Sequence, residues 1–140
     1  MKLKTLLLFL AFALCSLQGS FAKTIKVLAI GNSFSEDAIE QNLYELGKAA
    51  GDEFIIGNLY IGGCPLKKHW YNAENDKGAY RYRKINADGK LVQKDNIKIS
   101  AAIAEEDWDY ISLQQASGVS GLTESYEPYL AYLVAYIKTL

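Results

Sequence analysis

The stretch whose reading decides the fold is residues 25–35, IKVLAIGNSFS. An apolar run through Ile25, Val27, Leu28, Ala29 and Ile30 leads into Gly31, then Asn32 and Ser33, then residues suited to a helix start. This order predicts a buried strand that delivers Ser33 to the carboxyl edge of a sheet, where the next helix begins. Backbone N–H groups in a first helical turn have no intrahelical acceptor and can face an anion. A fixed hydroxyl beside such donors is what nucleophilic catalysis needs, because attack creates negative charge. The same pattern also serves a plain strand-to-helix turn. Gly31 then relieves backbone strain, and Ser35 caps a helix whose first turn holds Glu36 and Asp37. Two nucleotide-binding readings are excluded, since neither GxxxxGK[ST] nor GxGxxG follows the strand.

The 140 residues suit one domain, and half of them are apolar, so a real core is possible. A formal net charge of −1 gives no electrostatic reason to expect nucleic acid or an anionic membrane surface as partner. Residues 1–22 read as a secretory signal peptide. Lys2 and Lys4 precede an apolar run over 5–14, and Ser20, Phe21 and Ala22 suit cleavage after Ala22. The run is short for a membrane span, and Leu14 before Cys15 does not suit lipid attachment. The expected mature chain, 23–140, is therefore secreted or periplasmic, with no membrane association after cleavage. It keeps one cysteine, Cys64, and one histidine, His69, so neither an internal disulfide nor a metal site is expected. No cofactor is expected either.

Working outward from the first turn, 36–50 is a helix with Ile39, Leu43, Leu46 and Ala50 at helical spacing and Gly51 as its stop. Residues 53–61 form a second strand, so the first two strands should be parallel with a right-handed crossover. Gly62, Gly63, Cys64 and Pro65 follow at its carboxyl end, either as a simple turn or as backbone that a ligand can approach closely. Residues 66–79 form a polar and aromatic segment in which His69 is a loop histidine. Strands over 80–85 and 90–94 flank the hairpin signal Asn86-Ala87-Asp88-Gly89. Alternation of Tyr80, Arg81, Tyr82 and Arg83 gives either one packed and one solvated face or a strip that faces a ligand. A short helix over 97–106, a third strand over 108–114 and an amphipathic helix over 123–140 complete the chain. Ser125 is expected to cap that helix, with Tyr126, Leu130, Leu133, Ile137 and Leu140 as its stripe.

Three polar turns in this order resemble the SGNH (GDSL-type) hydrolase family. GNSFS at 31–35 is similar to its first block, GGC at 62–64 to its second, and WDYISLQQASG at 108–118 lies where its third belongs. The combination resembles an exported bacterial branch with GNSFS, IGGC and LQQ signatures. The resemblance implies a three-layer αβα sandwich with a flavodoxin-like parallel sheet. This chain would supply its first three strands, the third internal in the complete sheet and an exposed edge in these residues alone, plus an inserted hairpin. It also implies ester hydrolysis, with Ser33 as nucleophile and an oxyanion hole from the N–H groups of Ser33 and Gly63. The family's third donor is an Asn side chain. Gln115 is the expected substitute here, with Gln114 and Ser117 as rivals. Asn32, which replaces the usual Asp, joins Gly62, Gln114 and Trp70 as possible substrate-binding residues.

The family's general base lies in a C-terminal D-x-x-H motif, which these residues lack. The chain therefore reads as the N-terminal portion of an exported esterase-like domain acting on acylated carbohydrate or similar small esters. On its own it is expected to be inactive. Two other functions stay open: an inactive carbohydrate-binding relative, or a small α/β domain that binds a partner through Trp70, Tyr71 and the 80–83 strip.

Overall fold

The computed structural model describes residues 23–140, and the expected signal peptide at 1–22 lies outside them. Strand β1, Thr24–Gly31, is the buried strand expected from the opening stretch, with Leu28, Ala29 and Ile30 fully enclosed. Helix α1 follows in three continuous parts: Ser33–Ser35, a π-helical stretch Glu36–Leu43, and Tyr44–Ala50. Strand β2 is Glu53–Tyr60 and helix α2 is Leu66–Glu74. The hairpin is β3, Tyr80–Ile85, with β4, Leu91–Ile97. Helix α3, Ile99–Ile103, strand β5, Tyr110–Leu113, and helix α4, Tyr129–Ile137, complete the order.

The protein is an α/β fold built on a five-stranded mixed sheet in the order β4-β3-β2-β1-β5. Strand β1 pairs in parallel with both β2 and β5, which places the three polar turns along one carboxyl edge. The expectation of an all-parallel sheet with a separate inserted hairpin is corrected. The hairpin joins the sheet, because β3 pairs antiparallel with β2 from Ile56↔Ile85 to Tyr60↔Arg81. Strand β5 is bonded to β1 alone among the described strands, so the third strand is an edge here, as expected for these residues.

Alternation along the strands separates two faces. Leu28, Ile30, Leu59, Tyr80 and Tyr82 pack with Leu66, Ile99, Ala102 and Leu133 from the three later helices. On the other face lies α1, which comes so close to β2 that a Cβ on Gly47 would sit 2.3 Å from the Phe54 ring. The alternation at 80–83 is thus resolved: Tyr80 and Tyr82 are core, and Arg81 and Arg83 lie on the α1 face.

Three local expectations differ from the structure. The π-helical stretch advances more residues per turn than an α-helix and rotates the inward stripe of α1. Leu46 is 66% exposed as a result, while Glu40 and Gly47 are turned inward. The third strand starts at Tyr110, because Trp108 turns away to donate its indole N–H to the Ala102 carbonyl at 3.0 Å. The helix expected over 123–140 is interrupted: Thr123–Ser125 is a 3-10 turn, and the α-helix begins only after Pro128. Ser125 caps nothing there. Its hydroxyl donates instead to the Val119 carbonyl at 2.8 Å.

Candidate active site at the carboxyl edge

Asn32 holds the site together. Its side chain is buried, and Nδ2 donates to the carbonyls of Cys64 and Gln115, both at 3.2 Å. Its Oδ1 accepts the Phe34 N–H at 3.2 Å, so Asn32 rather than Ser35 is the N-cap of α1. One side chain therefore ties together the turns after β1, β2 and β5. The expected substrate-binding role for Asn32 is corrected, since all its polar capacity points inward.

With the cap at Asn32, the helix starts at Ser33, whose side chain is exposed. The N–H groups of Ser33 and Gly63 donate to no acceptor among the described residues. Gly63 has φ +61, a left-handed conformation that suits glycine, and both Gly62 and Gly63 are exposed. The turn is held by Cys64 N–H to the Ile61 carbonyl at 3.2 Å, and Ile61 N–H reaches the Gly31 carbonyl at 3.2 Å.

Gln115 is buried, and its amide is fully committed. Oε1 accepts the N–H of Leu66 at 3.0 Å and of Ala116 at 2.9 Å. Nε2 donates to the Ser125 carbonyl at 2.8 Å and lies 3.2 Å from the Ser125 hydroxyl. Gln115 thus caps the start of α2 and clamps the loop after β5, which leaves no amide proton for an oxyanion. Gln114 is placed differently. Its Oε1 accepts the Asn32 N–H at 3.3 Å, and its Nε2 has no hydrogen-bond partner among the described residues. Gln115→Ala is therefore expected to lower stability by about 4 kcal/mol, at about 1 kcal/mol for each of the four hydrogen bonds lost, as chemical denaturation would measure. A stable Gln115→Ala variant would contradict that role.

Trp70, also expected to contact substrate, is half-buried and packs against Tyr132 of α4 with ring centroids 5.2 Å apart. Ser117 is exposed in the 3-10 turn Ser117–Val119. His69 is not a loop residue. It lies inside α2 with no exposed surface, and its Nδ1 is 2.8 Å from the Tyr80 hydroxyl and 3.6 Å from Cys64 Sγ. Burial lowers the imidazole pKa to about 4 and pushes the Cys64 thiol up to about 11. Neither group supplies a base or a nucleophile at neutral pH.

Sequence reasoning missed the polar network beneath the first turn. The Ser35 hydroxyl lies 2.7 Å from the Asn32 carbonyl and 2.9 Å from Asn58 Oδ1. Asn58 Nδ2 donates to Glu40 Oε2 at 3.0 Å. Arg83 then grips Glu40 at 2.6 Å and Glu36 at 2.7 Å. This ladder fixes the first turns of α1 from below, so the backbone that presents Ser33 is held on two sides. A polar Asn58 within the buried carboxyl half of the strand EFIIGNLY was the available signal.

The fold and this edge define an α/β domain with a preformed polar site above parallel strands. The chain belongs to the DUF4886 family, described as a domain of unknown function, whose family model matches residues 26–140. It is similar to a DUF4886 family protein from Bacteroides uniformis ATCC 8492 whose crystal structure is known at 1.50 Å, with 54% sequence identity and a TM-score of 0.81. The match covers 84% of this chain and 45% of that one, so this chain spans less than half of its relative. No curated protein matches the chain.

Proposed function

We propose that this chain carries the nucleophile and oxyanion portion of an exported serine ester hydrolase of SGNH type. In this reading the parallel β2-β1-β5 core is the first half of a flavodoxin-like sheet, and the β3–β4 hairpin is its elaboration. The observation that carries the proposal is the exposed Ser33 hydroxyl at a helix start, on an edge where the N–H groups of Ser33 and Gly63 are unpartnered. Attack by Ser33 Oγ on an ester carbonyl would place negative charge on the carbonyl oxygen, and preorganised N–H donors stabilise such charge by a few kcal/mol each. Gln114 Nε2 is the third donor in this scheme, replacing Gln115. The substrate class, acylated carbohydrate or similar small esters, rests on the family resemblance and on the signal-peptide reading of residues 1–22.

His69 does not serve as the general base of this scheme, since it is enclosed and bonded to Tyr80. An unactivated serine hydroxyl is a weak nucleophile. Turnover by this chain alone is therefore expected to sit several orders of magnitude below that of a complete enzyme. The test is covalent labelling of the protein with a fluorophosphonate probe. The label should map to Ser33 and vanish in Ser33→Ala. Labelling that persists in Ser33→Ala would remove Ser33 from the role.

A further inference from the structure

The chain has two arginines, Arg81 and Arg83, and both stand on the same strand. Every other basic residue outside the single histidine is lysine. Arginine differs from lysine in presenting a rigid planar fork of donors matched to oxyanions, so its placement at these two positions is informative. Arg83 uses the fork internally, on Glu36 and Glu40. Arg81 does not. Its guanidinium lies over the Tyr60 ring, 4.4 Å from the centroid. It forms no salt bridge among the described residues, and its Nε, like that of Arg83, is enclosed without a partner.

The location of Arg81 is set by register. Gly31 pairs with Tyr60 across β1 and β2, and Tyr60 pairs with Arg81 across β2 and β3. Strand spacing then puts the Arg81 backbone roughly 10 Å from that of Gly31, on the same face. Ser33 follows Gly31 by two residues. Tyr60 also reaches the second turn, since a Cβ on Gly62 would sit 3.4 Å from the Tyr60 hydroxyl. A groove of about 440 Å³ opens beside this pair, lined by Tyr60, Ile61, Ala79, Arg81, Asp95 and Asn96. Asp95, which with Asn96 stands opposite Arg81 at the irregularity between β3 and β4, is exposed and lies 3.4 Å from the Gln93 amide, with no salt bridge to Arg81.

We propose that Arg81, held flat on Tyr60, is a recognition residue for an oxyanion, a carboxylate or a sulfate, carried by the ester that reaches Ser33. Stacking on the Tyr60 face leaves the Nη1 and Nη2 end of the guanidinium, which bonds to nothing among the described residues, as the binding surface. A cation on an aromatic face is also stabilised without neutralising its charge. The substrate is then an acidic ester, such as an acylated acidic sugar, and Arg81 fixes its orientation. The ester part of this inference rests on the proposed function. The anion site itself does not.

Arginine Nε–Hε signals in a 15N-labelled sample give a direct readout, because the chain has two of them. Titration with sodium succinate or sodium sulfate should move the Arg81 signal saturably and leave the Arg83 signal in place. Sodium chloride at equal ionic strength should not reproduce the shift, and Arg81→Lys, which removes one of the two signals, assigns the responding one. A larger response to succinate than to sulfate would identify a carboxylate as the preferred group, and the reverse a sulfate. If neither anion gives a saturable shift, or both arginines respond alike, the proposal fails. A second arm compares nitrophenyl hemisuccinate with nitrophenyl butyrate on the same protein. The charged ester should be favoured at least tenfold in kcat/KM, and Arg81→Gln should collapse that ratio. Equal rates on both esters with an unchanged ratio in Arg81→Gln would overturn the anion site while leaving Ser33 esterase chemistry intact. A saturable Arg81 shift with no hydrolysis of either ester would keep the anion site and reject the esterase.

Discussion

Replacing Asn32 with alanine should cost about 3 kcal/mol of stability and disconnect the three turns of the site. The loss has two parts. Removing a side-chain N-cap costs about 1 kcal/mol. Leaving the enclosed carbonyls of Cys64 and Gln115 without their donor costs about 1 kcal/mol or more for each. At this chain length the melting temperature should fall by about 10 °C or more. The comparison that gives the result meaning is Ser33→Ala, at a position one residue on. Ser33 is exposed and its hydroxyl makes no hydrogen bond among the described residues, so that change should leave the melt within about 0.5 kcal/mol of the parent, as for other surface substitutions. If Asn32→Ala melts like the parent, the side chain does not tie the turns together. Hydrogen exchange gives a local readout of the same idea: the amides of residues 61–66 and 115–119 should lose protection together in Asn32→Ala.

Acidification should destabilise the protein well above the pH at which its carboxylates begin to titrate, and His69 should be the cause. Buried in α2, His69 has its pKa lowered to about 4, against an unfolded value near 6.5. Above pH 6.5 the ring is neutral in both states and the term is silent. Between 6.5 and 4 the unfolded chain binds a proton that the folded chain refuses, so stability falls as pH falls. Below 4 both states are protonated and the loss is complete. The gap corresponds to about 3 kcal/mol. Asp76, Glu106 and Asp109 also have lowered pKa values, through hydrogen bonds to Lys98, Lys26 and Lys23 respectively. Their contributions are present above their unfolded values near 4 and are lost below them, so the window from 6.5 to about 4.5 belongs mainly to His69. Urea unfolding at half-unit pH steps would show a slope approaching one proton in that window. His69→Gln, which cannot titrate but can still bond to Tyr80, should flatten it. An unchanged slope in His69→Gln would assign the proton elsewhere.

The parts of this protein that were legible in the sequence are those in which neighbours along the chain decide the outcome. The apolar run before Gly31 made β1, the Asn86–Gly89 signal made the hairpin turn, and Gly51 at φ +88 ended α1 where the sequence suggested. The parallel order around β1 followed from strand–helix–strand lengths. Even Ser33 at the edge was readable, because strand alternation and a helix start are local patterns.

What only the tertiary structure decided was how each polar side chain spends its hydrogen bonds. Asn32 and Gln115 looked available for substrate, yet both are enclosed and bonded to backbone from other turns, because burial forces a polar group to find partners wherever the fold offers them. His69 looked like a loop residue, yet packing of α2 under Tyr80 encloses it and suppresses its charge. The π-helical stretch of α1 could not be read from spacing, since the pull of Arg83 and Asn58 on Glu40 comes from strands distant in sequence. Arg81 and Arg83 differ by two positions and share one pattern. One is neutralised by two glutamates and the other left free on a tyrosine because of what α1 and β2 bring beside them, which no local reading contains.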